Sequence, residues 1–490
     1  MGGDYACHNC ITSAHSRSAV SYFCQNGTLL HSIVELLVLT RDLTQGNVST
    51  HLRQQATPMA FGLVAIISFD AVDMFFVSQL GDMPLAALAF CFPVLWLLIS
   101  VIIGFEAGAV SVISRAIGRG NEQLARRQTT DTVMLAGLVM VAIMIVGLFT
   151  IDPVFRGLGA TDEIMPLVHD YMSIWYWSVP VNAVCWICLA SMRARGNSML
   201  EGKIITLAAV VNVILDPIMI FGLFGFPRLE MAGAALATLT SNLIVMVGTL
   251  SYLHFKLRVF ATPFAKLSVM LQSWLEMLRI GGPAMLTNTV VPIANGIVVA
   301  IIAGFGVTAV AGFGVGIRIE PLVLIPFYAM SAVASPFMGQ NFAAGKLNRM
   351  LHARRVIAKF CLVYGLLLTV VLYVLAPYLA SLFSDTAEIQ EVAVTYLRIM
   401  AVSYAGYGMV MSACAGFNGM GFPLPGVAVS VCRALIVFLP LALLLKWWLG
   451  LNGLFIAGAT ANIIIGLGAY IWLGRYIRGH RCEEAHQQLY

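Results

Sequence analysis

An all-α membrane protein, with twelve spanning helices in two pseudo-symmetric six-helix lobes, is the fold this sequence predicts on three observations. First, 60% of the 490 residues are hydrophobic and 10% are charged, against about 25% charged in a soluble globular chain. At roughly 20 apolar residues per span, the chain has room for about a dozen helices and for no sizeable soluble domain. Second, the basic residues alternate from loop to loop. Third, the chain repeats itself at a constant offset.

Hydropathy and loop punctuation place the spans near 55–78, 84–114, 128–150, 165–192, 203–225, 231–256, 277–304, 308–340, 353–380, 389–417, 424–447 and 452–475. The connections after spans 2, 4, 6 and 8 and the tail hold nineteen Lys and Arg, among them Arg115, Arg193, Arg195 and Arg349; the other side shows Arg156, Arg228 and Lys446. Nineteen against three puts both termini and the even-numbered loops in the cytoplasm. Because the basic residues are scattered over short loops, the net charge of +5 orients the chain and does not mark a nucleic-acid surface.

Pro58 opens span 1 and Pro283 opens span 7; the Leu80-Gly81 and Phe305-Gly306 turns match, as do Gly120 and Gly345, each pair 225 residues apart. Asn197 and Asn418 differ by 221, as a small deletion in the second half would give. Two parallel halves point to a transporter with its pathway between them. The corresponding divisions are an extension over 1–48, a first lobe over 49–258, a linker over 259–276, a second lobe over 277–475 and a tail over 476–490. Residues 1 to about 45 are polar and are expected to be disordered, or to be upstream sequence included by a misassigned start, with the native start at Leu39 or Val48. Six of the ten cysteines, including the Cys185/Cys188 pair, fall in apolar stretches and read as core packing; a metal knuckle at Cys7, Cys10, Cys24, His8 and His15 is the weaker alternative.

A charge at bilayer depth costs at least about 2.5–3.5 kcal/mol, so each embedded acid needs a partner or water. The embedded acids are Asp70, Asp73, Glu106, Asp216 and Glu320. Asn212 and Asp216 share a helix face at i and i+4, beside Pro217. Counting about 1.5 Å per residue from the expected helix ends brings Asp73, Asn212, Asp216 and Thr238 to one level in the outer leaflet. Two carboxylates close together in a poorly solvated pocket cannot both ionise cheaply, so the group would accept H+ or Na+; simple hydrogen bonding of each acid to a neighbour is the bland alternative. Through the repeat, Asp73 corresponds to Val298 and Asp216 to Val437, so the acids belong to the first half alone. The second half offers Arg318 and Glu320, Asn288 and Asn295, Tyr404 and Tyr407, and Arg433; of these Arg318, Glu320, Tyr404 and Tyr407, with Asn197, are candidates for a cavity or relay. Arg318 and Glu320, two apart, would pair across helices. No nucleotide-binding loop or intramembrane nucleophile is present in the sequence, which argues against an enzyme and against ATP-driven transport.

The segments Val72-Asp-Met-Phe-Phe-Val-Ser-Gln-Leu-Gly, Gly196-Asn197, Asn212-Val-Ile-Leu-Asp216-Pro, Gly233-Ala-Ala-Leu-Ala-Thr238, Arg318-Ile-Glu320 and Gly339-Gln-Asn-Phe-Ala-Ala-Gly345 together resemble the multidrug and toxic compound extrusion (MATE) family, and most closely its DinF-like bacterial branch. The resemblance covers about residues 50–475. It implies a V-shaped pair of lobes and secondary antiport, in which H+ or Na+ enters while cationic or amphipathic drugs leave. It also implies no resident cofactor, a monomer, and no partners beyond drugs and lipids. By position it makes Asp73, Asn212, Asp216 and Thr238 the cation-coupling site and Pro58 a bending proline. The acids that other branches carry in spans 7 and 10 are missing here, which favours protons. A flippase of lipid-linked saccharides is the alternative function; it would want a markedly basic cavity, whereas acids outnumber bases here.

Overall fold

The computed structural model describes residues 42–261 and 265–487, with the side chains of 291–293 and 481–487 left aside. Its regular structure is helical throughout. The spans are α1 (Val48–Ser78), α2 (Asp82–Gly118), α3 (Glu122–Phe149), α4 (Met165–Ala194), α5 (Ser198–Phe221), α6 (Glu230–Ser251, continued by a π-turn over Tyr252–Lys256), α7 (Leu267–Ala303), α8 (Val307–Ala343) and α9 (Leu347–Ser381). The tenth span, α10, is the pair Ala387–Ala401 and Tyr404–Met420, bent by 59°. Pro423–Val431 leads through a π-helix, Cys432–Phe438, into Leu439–Gln487, and Gly450 with φ 58° breaks that last stretch into α11 (423–449) and α12 (451–487).

Ten helices among the described residues are long and apolar enough to span. The bent pair adds an eleventh, and the break at Gly450 divides the last into two, which gives the expected twelve. Several helices start earlier than hydropathy suggests: α1 at 48 instead of 55, α3 at 122 instead of 128, α7 at 267 instead of 277. The first turns of α1 and α3 are polar, and Asn47, Asn121 and Asn197 cap α1, α3 and α5 by accepting from backbone N–H groups. These turns satisfy helix geometry but contribute nothing to an apolar window. Pro58 accordingly lies inside α1, eleven residues past the Asn47 cap, and does not open it.

The repeat is visible in backbone geometry. Gly81 and Gly306 (φ 117° and 103°), Gly120 and Gly345 (71° and 66°), and Gly196 and Gly421 (79° and 91°) occupy equivalent left-handed turns. All three pairs are 225 apart, so the Asn197–Asn418 match at 221 is incorrect: Asn197 caps a helix, while Asn418 lies inside α10. No deletion separates the halves there. Asp216 then corresponds to Leu441, or to Ala442 if the π-turn adds one residue, and not to Val437; the second half still lacks the acid. Packing follows the same symmetry, with α1 against α5 and α8, and α7 against α11 and α2. Close approach of α1 to α5 needs glycine, because a Cβ on Gly202 would collide with the Pro58 carbonyl.

The halves lock together at the end of the bundle that bears the basic loops. Gln340 of α8, fully buried, donates to the Ala194 carbonyl of α4 (2.7 Å) and accepts from Leu43 N–H (3.2 Å). Ser111 of α2 donates to the Asn418 carbonyl of α10 (2.5 Å). The strand of chain before α1 is part of this lock, contrary to its assignment to an extension ending at 48: Leu43 is 0% exposed. Arg349 donates to the carbonyls of Leu43, Gln45 and Gly46 (3.0, 2.9 and 2.6 Å), and Lys346 to Thr44 (2.9 Å). Arg349→Ala should therefore speed hydrogen exchange of the amides of residues 43–46 by tenfold or more while leaving α3 unchanged. Equal exchange in the two proteins would show that the segment is held by other contacts. The suggested metal knuckle lies outside the described residues, whereas Cys185 and Cys188 are free thiols packed in apolar clusters.

Candidate functional site

Asp73 and Asp216 each sit five residues from the end of their helix, Ser78 in α1 and Phe221 in α5, about 8 Å along the axis. The earlier end of α5 puts the two acids closer in level than the expected boundary at 225 does. The rings of Phe76 and Phe221, edge to face at 6.1 Å, join the two helices near the same end. Asp216 is 0% and Asn212 2% exposed, whereas Asp73 is half-buried. Asp73 lies within electrostatic range of Asp216 and of Asp70, and the buried Tyr171 of α4 is within range of all three.

The hydrogen bonds around this group are incomplete. Asn212 donates to the Ser241 hydroxyl of α6 (3.2 Å), and Ser241 donates to the Thr238 carbonyl (3.0 Å). That leaves Asp73 Oδ1, Asn212 Oδ1 and both carboxyl oxygens of Asp216 buried with no hydrogen-bond partner among the described residues. Such oxygens are costly unless a proton or cation meets them. Of the four residues expected to share a site, Asn212 and Asp216 lie one turn apart on α5, Asp73 is within electrostatic range of Asp216, and Thr238 is reached only through its carbonyl, by way of Ser241. Ser241 and Tyr171, which the sequence did not single out, lie beside them.

The second-half candidates divide. Glu320 and Tyr407 line a cavity of about 190 Å³ together with Tyr328, Tyr396 and Arg433. Tyr404 is fully buried behind it, within electrostatic range of Glu320 and Tyr407. Arg318 does not pair with Glu320 or line the cavity; two residues along a helix turn it about 200° away, and it is exposed. Glu320 instead accepts from the Tyr396 hydroxyl (2.7 Å). Asn197 is likewise no cavity residue, since its side chain caps α5. Glu106, one of the embedded acids expected to need a partner, is ion-paired with Arg193 of α4, which also holds Glu201 of α5 (3.1 Å). Arg193 and Arg195, read as loop charges, are therefore buried structural cations, 4% and 3% exposed.

Duplicated halves of spanning helices around buried, unpartnered carboxylates define a multi-pass membrane transporter, not an enzyme. A family model described as MatE matches residues 58–218 and 283–444, and the chain belongs to that family. The two matched segments start 225 residues apart, as the turn glycines do.

Among its relatives, a Shewanella oneidensis protein named FAD transporter is 34% identical over 432 residues, covering 88% of this chain and 94% of that one. The Bacillus subtilis probable multidrug resistance protein YoeA is 25% identical over 411 residues, covering 81% and 88%. In structure, the Vibrio cholerae MATE transporter VcmN in its bent form superposes with a TM-score of 0.83 at 28% identity, covering 88% of this chain and 97% of that one.

Proposed function

We propose that this transporter is an H+-coupled exporter of amphipathic small molecules, with Asp73 and Asp216 as its coupling carboxylates. The observation that carries this reading is the set of buried oxygens on Asp73, Asn212 and Asp216 that lack partners. With both acids deprotonated the first-half site is negative and favours a cationic or amphipathic substrate. A proton arriving from the outer side removes that charge and releases the substrate. The basic end, where Gln340 bridges the halves, is the cytoplasmic end on the charge-distribution rule. One charge crossing the field supplies about 2.3 kcal/mol per 100 mV, and the pH gradient adds to it. Pro58 breaks the hydrogen-bond ladder of α1 at the level of Gly202 and is the place for that helix to change shape, although α1 runs unbroken in this conformation.

A second reading is export of a flavin dinucleotide. It is favoured by the 34% identical relative named FAD transporter and by Arg433, a fixed cation in the second-half cavity. The lipid-linked saccharide flippase has no such support. Both export readings share one coupling site and are separated by one experiment. Everted vesicles carrying this protein should accumulate substrate when given a pH gradient without Na+; ethidium and FAD serve as the two probes. Strict dependence on Na+ at fixed pH would overturn proton coupling, and the probe accumulated identifies the substrate class.

A further inference from the structure

The second-half cavity has features that the coupling site does not use. It is walled by aromatic side chains, Phe313, Tyr396, Tyr407 and Phe455 among them, and two opposite charges, Glu320 and Arg433, face into it. These charges are within electrostatic range but do not close into an ion pair, and each is held apart by its own partners. Glu320 accepts from Tyr396 (2.7 Å). Arg433 donates to Asn462 of α12 (3.2 Å), which donates to Ser403 (3.1 Å) at the bend of α10, and its guanidinium lies 5.0 Å from the centre of the Tyr407 ring. Arg433 Nε is buried and has no hydrogen-bond partner among the described residues. A half-buried guanidinium and carboxylate kept apart in one cavity leave a donor and an acceptor for something else to bridge.

The backbone supplies an independent sign. Arg433 sits in the π-helix Cys432–Phe438, whereas the equivalent first-half helix α5 is regular α-helix over Ser198–Phe221. Single π-turns are frequent at functional sites, and this one belongs to the second half alone. Cavity size then limits the occupant. About 190 Å³ falls below the roughly 300–1,000 Å³ of pockets that swallow a whole drug-sized molecule.

We infer that this cavity is a second binding site, which takes a flat heteroaromatic ring whose edge offers an acceptor to Arg433 and an N–H donor to Glu320. Aromatic walls receive the faces of the ring, and the two charges read its edge. The site deepens the export reading, on which its physiological meaning rests, but binding is measured without transport.

The probe is lumichrome, an uncharged three-ring compound with a carbonyl, N–H, carbonyl edge, titrated onto the full-length protein in detergent and followed by its fluorescence. Saturable quenching is expected. Arg433→Gln and Glu320→Gln should each raise Kd tenfold or more, and Ala294→Leu, which fills the cavity with no change of charge, should do the same in a protein that keeps its thermal midpoint. Arg156→Gln, in an exposed ion pair, should bind as the parent does. Absence of saturable binding by the parent, or equal Kd in all the cavity variants, would overturn the inference. If vesicles still export, that failure leaves the coupling reading standing.

Discussion

Asp73→Asn and Asp216→Asn should each reduce drug export to background while the protein stays in the membrane at its normal level. Asparagine keeps the size and one oxygen of the side chain but cannot take up and release a proton, so the loss isolates titration from shape. Neither acid holds a basic partner that would be orphaned by the change, and both oxygens of Asp216 already lack partners; stability should move little or rise slightly. Asp70→Asn should be far milder, because Asp70 is exposed. Pro58→Ala should leave ion binding intact and slow turnover, since it restores a helix hydrogen bond and removes no charge. Membrane level by immunoblot and efflux of ethidium from loaded cells check all four. Wild-type efflux by both Asp73→Asn and Asp216→Asn proteins would exclude these acids from coupling and move attention to Glu320.

Arg193→Leu should have the largest effect on stability. Arg193, Glu106 and Glu201 are 4%, 9% and 2% exposed, and one guanidinium serves both carboxylates. Removing it strands two buried acids, for which the cost is about 3–5 kcal/mol. Replacing all three by leucine should recover most of that loss, since an apolar trio needs no counter-charge. Thermal unfolding in detergent measures both proteins. An unchanged midpoint for Arg193→Leu would show that water reaches the two carboxylates.

The spans were legible because apolar runs of that length have no other explanation, and the 225-residue repeat because its turns require glycine at left-handed φ. What hydropathy could not locate were helix ends made of polar turns, such as 48–54 of α1. Nor did it indicate the 59° bend of α10. That bend falls at Val402 and Ser403, with no proline or glycine to mark it. In the first-half site, Asp73, Asn212 and Asp216 stood out because charge and amide are expensive at that depth. Ser241 and Tyr171 did not, since hydroxyl side chains are ordinary in spanning helices. Charge near a helix end was the least readable feature. Arg193 and Arg195 looked like loop cations but are buried partners of Glu106, Glu201 and Glu122, and Arg318, expected to pair across helices, lies on an exposed helix face. A sequence gives the position of a charge along the helix, whereas its partner depends on which helix face meets which neighbour.

Proton movement driven by substrate tests the central claim most directly. Purified protein is reconstituted into liposomes that enclose a pH-sensitive dye in Na+-free buffer, and an ethidium gradient is imposed with the membrane potential clamped. Antiport through Asp73 and Asp216 predicts that the lumen changes pH as substrate moves, with protons running opposite to ethidium, and that Asp73→Asn and Asp216→Asn liposomes show no change. A pH change of equal size in the Asp216→Asn liposomes, or substrate movement by the parent protein with no proton counterflow, would contradict it.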